Sequence, residues 1–187
     1  MIEDIKKACQ VMNDGGVILY PTDTVWGIGC DATNEDAVRR VYDIKRRSDS
    51  KAMLVLVDSP VKVDFYVQDV PSVAWSLIEL ADRPLTIIYS GARNLAPNLL
   101  AEDGSVGIRV TSEIFSRRLC QQFRKAIVST SANISGQPGA ANFSEVSEEI
   151  KSAVDYIVGY RQDDMSRPSP SSILKLGQGG TVQIIRK

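Results

Sequence analysis

The chain has 187 residues, 43% of them hydrophobic and 24% charged, with a net charge of −1. That composition suits one soluble domain able to bury its own core. It excludes a membrane span, because the longest apolar run, Ala52 to Val57, falls far short of the ~20 residues a bilayer requires. There is no histidine, which removes Ser-His-Asp and Cys-His nucleophile activation and every histidine-ligated metal centre. Cys9, Cys30 and Cys120 are scattered and form no C-x-x-C pair, and Met1 to Lys6 lacks a basic-then-apolar secretion pattern. The expectation is a reducing cytoplasm with neither disulfide nor zinc.

In chain order, Ile2, Ile5, Cys9 and Met12 recur at helical spacing, and Asp14-Gly15-Gly16 stops that helix. Val17 to Tyr20 is a short apolar strand running into Pro21-Thr22-Asp23-Thr24. A second helix opens at a capping Thr33, with Ala37, Val38, Val41 and Ile44 as its apolar stripe. Met53 to Val57 reads as a buried strand. Pro71 begins a helix through Ala81, Leu85 to Tyr89 and Ser105 to Val110 are strands, and Ser112 caps a helix bearing Phe115, Leu119 and Phe123. Ala126 opens another strand, Val146, Ile150 and Val154 mark a helix, and Ile157-Val158 is a strand. Ile173-Leu174 and Val182 to Ile185 form a hairpin around Gly177 to Gly180. Strands alternating with helices predict an open α/β fold, a twisted mixed sheet covered by helices and antiparallel at the final hairpin, in a single domain over 1–187.

Three constellations carry chemistry. In Ser129-Thr130-Ser131-Ala132-Asn133 the alternate residues Ser129, Ser131 and Asn133 project to one face at a strand end, where ligands of open α/β sheets bind. The same residue types also serve in ordinary turns. Between Arg39 and Lys51 six basic residues face two acids, an excess that suits a specific anionic ligand. If the helix ends near Ile44, Lys45 and Arg47 share a face and Lys51 follows close by, a combination suited to phosphate and carboxylate; the alternative is a solvated helix end complementing its dipole. In Tyr20 to Cys30, Gly27 and Gly29 alternate with apolar residues and permit close approach of another backbone or a flat ligand. Neither G-x-G-x-x-G nor a P-loop occurs.

Pro21-Thr22-Asp23-Thr24-Val25-Trp26-Gly27 resembles the P-T-E-T-V-Y-G opening of the YrdC-like family. Lys45-Arg46-Arg47 with the distant Ser131-Ala132-Asn133 is similar to that family's paired K-x-R and S-x-N. Val106 to Val110 resembles its V-x-V-R-V strand, Pro84-Leu85-Thr86 the end of W-P-G-P-L-T, and Pro170-Ser171-Ser172-Ile173 its late P-S-T-V/I element. Ala81-Asp82-Arg83 departs from the pattern. The matches keep the family's order through most of the chain.

The resemblance, to the short TsaC-type branch without a further C-terminal domain, implies a fold with a central cleft and an ATP-dependent synthesis. L-threonine, bicarbonate and ATP would become L-threonylcarbamoyl-AMP and pyrophosphate, with Mg²⁺ accompanying the ATP and no tightly held metal. The product would pass to a transferase complex that modifies tRNA, tRNA itself being at most a weak ligand. The implied roles place Lys45 and Arg47 at the catalytic centre, and with Ser129, Ser131, Asn133, Arg109 and Ser171 around the nucleotide phosphates. Thr22, Thr24 and Lys51 would serve threonine. Ser172 is an alternative to Ser171, Asp23 a helper of water or metal or a cap of its own turn, and Tyr160 to Pro170 a lid. The competing readings are a carbamoyl-adenylate-forming domain and a non-enzymatic RNA-binding or ribosome-assembly module. Net charge and an aromatic content of 6% weigh against the latter.

Overall fold

The computed structural model describes residues 1–47 and 53–187; the Lys51 expectation lies outside the described residues. The elements in chain order are α1 (Ile2–Asn13), β1 (Ile18–Tyr20), β2 (Gly27–Gly29), α2 (Glu35–Lys45), β3 (Leu54–Val57), α3 (Val61–Tyr66), α4 (Val73–Leu80), β4 (Leu85–Tyr89), β5 (Val106–Val110), α5 (Ile114–Phe123), β6 (Ile127–Ser131), α6 (Glu148–Ala153), β7 (Tyr156–Ile157), β8 (Ser172–Leu176) and β9 (Val182–Arg186). Among the described residues the strands form one sheet in the order β7-β1-β2-β6-β3-β5-β4-β8-β9. The pairs β1–β7, β3–β5 and β4–β8 are parallel. The antiparallel pairing expected at the final hairpin is present there, and it also joins β1 to β2, β2 to β6, β3 to β6 and β4 to β5.

Strand alternation sorts the apolar side chains into two layers. On one face Ile5, Ala8, Cys9 and Met12 of α1 pack with Phe115, Leu119, Cys120 and Phe123 of α5 over Ile18, Tyr20, Leu56 and Ile127. On the other, Leu19, Ile28, Val55, Val57, Ile87, Ile108 and Val128 lie beneath residues of α2, α3, α4 and α6. Each fully buried large aliphatic side chain contributes roughly 1.5–3 kcal/mol. The layer of α1 and α5 covers only part of its face. Across β5, β4 and β8 the same face stays open, and the cavity lies there.

Local chemistry differs from the predicted caps by one residue. Asn34, not Thr33, caps α2 by accepting from the Ala37 N–H at 3.1 Å. Thr33 instead donates from both its N–H and hydroxyl to Asp31. Glu113, not Ser112, caps α5 through the Ser116 N–H at 2.7 Å. A carboxylate accepts an orphan helix N–H as well as a hydroxyl does and suits the positive end of the dipole.

The stretch holding Gly27 and Gly29 is a strand, squeezed between β1 and β6. A Cβ on Gly29 would stand 2.6 Å from the Tyr20 ring and 2.7 Å from the Val128 carbonyl oxygen. The alternating glycine therefore admits another backbone, one of the two uses expected of it.

Candidate functional site

A cavity of about 550 Å³ opens on the uncovered part of the sheet. β6 contributes Ser129, Thr130 and Ser131, and the turn after it Asn133. β5 contributes Gly107 and Arg109, β4 Thr86 and Ile88, and the first loop Thr22, Thr24 and Val25. Arg47, Pro170, Ser171, Ile173 and Arg186 complete much of the wall. On β5 the alternation is plain: Val106 and Ile108 join the apolar core beneath, while Arg109 faces the cavity. Gly107 leaves room there, since a Cβ on it would come 3.2 Å from the Thr86 methyl.

The K-x-R pair separates. α2 runs through Lys45, and Arg46 then adopts the left-handed conformation, φ 49°, which turns Arg47 into the cavity. Lys45 is 1% exposed and does not line the cavity. Its Nζ donates to the main-chain carbonyls of Ser131 at 2.5 Å and Asn133 at 2.8 Å, and the Ser135 N–H donates to the Lys45 carbonyl at 2.8 Å. The expectation that Lys45 and Arg47 share a face is thereby corrected: the helix runs one residue further, and the buried ammonium finds its acceptors in the turn after β6. Burial, with Arg47 beside it, lowers the Lys45 pKa to about 8.

Asn133 is locked by donation from its amide to the carbonyls of Ile134 and Gln137 at 3.0 and 2.7 Å. Its Oδ1 is buried without a hydrogen-bond partner. In the first loop the Thr22 hydroxyl donates to the Val25 carbonyl at 2.7 Å and accepts from the Thr24 N–H at 3.1 Å. Thr22 and Thr24 thus sit in one tight turn with their hydroxyls 3.1 Å apart.

Asp23 lies against Arg109, with Oδ1 3.1 Å from Nη2 and both side chains more than nine-tenths buried. That Asp23 oxygen has no aligned hydrogen bond, and neither has the Arg109 Nε. Burial raises the Asp23 pKa and lowers that of Arg109, each opposed by the partner's charge. The geometry presents a role for Asp23 outside the two expected of it, that of counter-ion to a cavity arginine.

Ser171 is 1% exposed, and its hydroxyl lies 2.9 Å from that of Thr86. Arg186 donates to the Ser171 carbonyl from Nε at 2.9 Å and reaches its hydroxyl from Nη2 at 3.4 Å. Ser172, the alternative, is not in the lining. Arg186 and Thr86 escaped the sequence reading. The sequence carried no signal for Arg186: a bulge between Ile173 and Leu174 sets it opposite Ile173 and beside Ser171. Among the described residues no cluster of three or more thiol or carboxylate groups is arranged to hold a metal ion.

The segment expected as a lid packs on the first loop. Tyr160 stacks on Phe115 with centroids 5.6 Å apart, and Arg161, Asp164, Ser166 and Pro168 line a small gap behind Thr22 and Thr24.

A family model named for Sua5, YciO and YrdC and described as telomere recombination matches residues 10–187. The chain belongs to the Sua5/YciO/YrdC family. Within it, threonylcarbamoyl-AMP synthase of Pseudomonas aeruginosa is 34% identical over 183 residues, 95% of this chain and 97% of that protein. The crystal structure of Escherichia coli YciO has a TM-score of 0.85 at 22% identity, covering all of this chain and 90% of its own. P. abyssi Sua5, crystallised with L-threonine, has a TM-score of 0.84 at 21% identity over 95% of this chain. This chain spans 52% of that Sua5. The mixed α/β architecture of the Sua5/YciO/YrdC family is therefore the architecture seen here.

Proposed function

We propose that the protein is a threonylcarbamoyl-AMP synthase, one domain over 1–187, joining L-threonine, bicarbonate and ATP into L-threonylcarbamoyl-AMP with release of pyrophosphate. The observation that carries this reading is the lining of the cavity. The guanidinium groups of Arg47, Arg109 and Arg186 converge with serine and threonine hydroxyls on one space, and no carboxylate stands among the described lining residues. Such a surface suits a polyanion and a carboxylate together. The synthase name of relatives about one-third identical over nearly full length supports it.

Two bonds form in the reaction. Bicarbonate takes up a proton and loses water to give CO₂; the threonine amine attacks its carbon, losing a proton and giving a carbamate. A carbamate oxygen then attacks the α-phosphorus and displaces pyrophosphate. Both steps depend on alignment and on spreading negative charge more than on a strong base. Arg47, Arg109 and Arg186 meet that charge, and Ser129, Ser131 and Ser171 hold phosphate oxygens, while Asn133, its amide hydrogens engaged by the carbonyls of Ile134 and Gln137, shapes the turn beside them. Thr22 and Thr24, with Lys51, serve threonine. Lys45 acts by fixing the carbonyls of Ser131 and Asn133, so that the Ser131 hydroxyl faces the ligand and the turn through Asn133 keeps its shape.

The described lining, lacking carboxylates, does not fit a resident divalent cation; Mg²⁺ arrives with the triphosphate. The product passes to a transferase complex that modifies tRNA, and tRNA itself is at most a weak ligand. None of the described helices is long and apolar enough to cross a membrane, and Cys9, Cys30 and Cys120 are free and buried; we assign the protein to the cytoplasm. The test is pyrophosphate release by purified protein with threonine or bicarbonate omitted in turn. Release that requires both and is not supported by serine is expected. Release without threonine would support a carbamoyl-adenylate-forming activity instead, and no release from folded protein would overturn the assignment.

A further inference from the structure

The first loop is held from outside the cavity by a set of side chains that the reaction itself does not use. Its carbonyl oxygens are acceptors for two of them: Pro21 for the Ser116 hydroxyl at 3.3 Å, and Thr22 for Arg161 Nη1 at 3.3 Å. Arg161 is itself fixed. Its Nε and Nη2 donate to Asp164 Oδ2 at 3.0 and 2.7 Å, and its Nη1 reaches Glu113 Oε1 at 3.5 Å. The other Glu113 oxygen caps α5 through the N–H and hydroxyl of Ser116, both at 2.7 Å. Arg161 therefore ties the loop to the start of α5 and to its own segment. It does so from a left-handed backbone, φ 64°, a conformation that disfavours residues other than glycine and persists where surrounding contacts impose it.

We infer that Arg161, held by Asp164 and Glu113, is a positioning residue for the threonine side of the cavity, setting the Thr22–Thr24 turn against the substrate. The inference rests on the proposed synthase activity. A planar guanidinium serves here because one group must face three acceptors in different directions, which a single ammonium cannot do at fixed reach. The phosphate-facing wall, from Ser129 to Asn133, receives no contact from this set. Loss of Arg161 should therefore weaken threonine use and spare ATP.

The experiment measures pyrophosphate release by wild type, Arg161→Gln, Arg161→Lys and Asp164→Asn, titrating threonine and ATP separately. Arg39→Gln, which breaks an exposed pair on α2 with Glu35 and Asp36, controls for ion-pair loss in general. In Arg161→Gln the KM for threonine should rise about tenfold, the worth of one hydrogen bond to a charged group, with the KM for ATP within about twofold. Arg161→Lys should recover part of the loss, and Asp164→Asn should resemble Arg161→Gln. A second readout, the rise in melting temperature on adding threonine alone, should shrink in Arg161→Gln and stay intact in Arg39→Gln. Equal threonine KM values in wild type and Arg161→Gln would overturn the inference while leaving the synthase assignment standing. So would threonine and ATP KM values that rise together with a lowered melting temperature, which indicate a merely structural residue. A wild-type protein without threonine-dependent release would sink both.

Discussion

Behind one wall of the cavity Lys45 sits fully buried, its ammonium on two neutral main-chain carbonyls, and no carboxylate pairs with it among the described residues. On another wall Arg109, equally buried, lies 3.1 Å from the Asp23 carboxylate. Two buried cations in one site are thus stabilised by different means. Carbonyl dipoles orient Lys45 without cancelling its charge, so from behind the Ser131–Asn133 turn it adds to the positive field of Arg47 toward an entering triphosphate. Asp23 cancels much of the charge of Arg109, so that wall offers directed N–H groups with little net field. The difference teaches which wall attracts an anion and which wall orients it.

Removal of Arg109 should break the second wall most severely. In Arg109→Met the Asp23 carboxylate remains buried without its partner, a loss of about 3–5 kcal/mol. The double variant Asp23→Asn/Arg109→Met removes both charges and should recover part of that loss, even though activity stays low. Urea unfolding of the two single variants and the double variant measures the coupling. If Arg109→Met is as stable as wild type, the pair carries no such charge dependence and the contrast between the walls disappears.

Lys45→Met is expected to cost less, about 2–3 kcal/mol, because two carbonyls lose a donor but no opposite charge is stranded. Displacement of the Ser131–Asn133 turn by about an ångström would lower turnover roughly 10²-fold. The contrast is sharpened by pH. Lys45 has an unfolded-state pKa near 10.5 and a folded value of about 8. Between those values the unfolded chain binds the proton and the native protein does not. The contribution of this group to stability therefore rises with pH across that window and is least favourable below it. Buried thiols act in the opposite sense; Cys9, raised to about 11 by burial, favours the native state less as its unfolded form ionises. The difference in unfolding free energy between wild type and Lys45→Met isolates the lysine. Plotted from pH 7.5 upward, that difference should move in favour of wild type, and a flat difference would show that Lys45 remains charged.

The division between these walls was half legible in the sequence. Ser129, Ser131 and Asn133 were grouped by strand alternation after an apolar run and Arg109 was added by the family resemblance, and the structure brings all four to one cavity. The direction of Lys45 was not legible, because it depends on a left-handed turn at Arg46 and on carbonyls 86 and 88 residues away. The strand Gly27–Gly29 was missed since glycine has little intrinsic preference for a strand. Its pairing is set by the close approach that Tyr20 and Val128 demand. The six residues of α3 have Val61 and Phe65 exposed, which blurs the helical pattern. Arg186 enters the site through a bulge between Ile173 and Leu174, and a bulge shifts register without any mark in composition.

The smallest effect is expected at Ser171, where the site is braced twice. In Ser171→Ala the hydroxyl contacts with Thr86 at 2.9 Å and Arg186 at 3.4 Å are lost. The donation from Arg186 Nε to the Ser171 carbonyl at 2.9 Å persists because it belongs to the main chain. The segment should stay in place, with a stability loss of about 1 kcal/mol and a KM for ATP raised only a few-fold. Thr86→Val, which keeps the shape of the side chain but leaves the Ser171 hydroxyl only its 3.4 Å contact from Arg186, should cost at least as much. Thermal melts and ATP titrations of both variants check the ordering. If Ser171→Ala impairs turnover as strongly as Lys45→Met, the hydroxyl touches the reacting phosphates directly, and the orienting role assigned to the arginine walls must be shared with it.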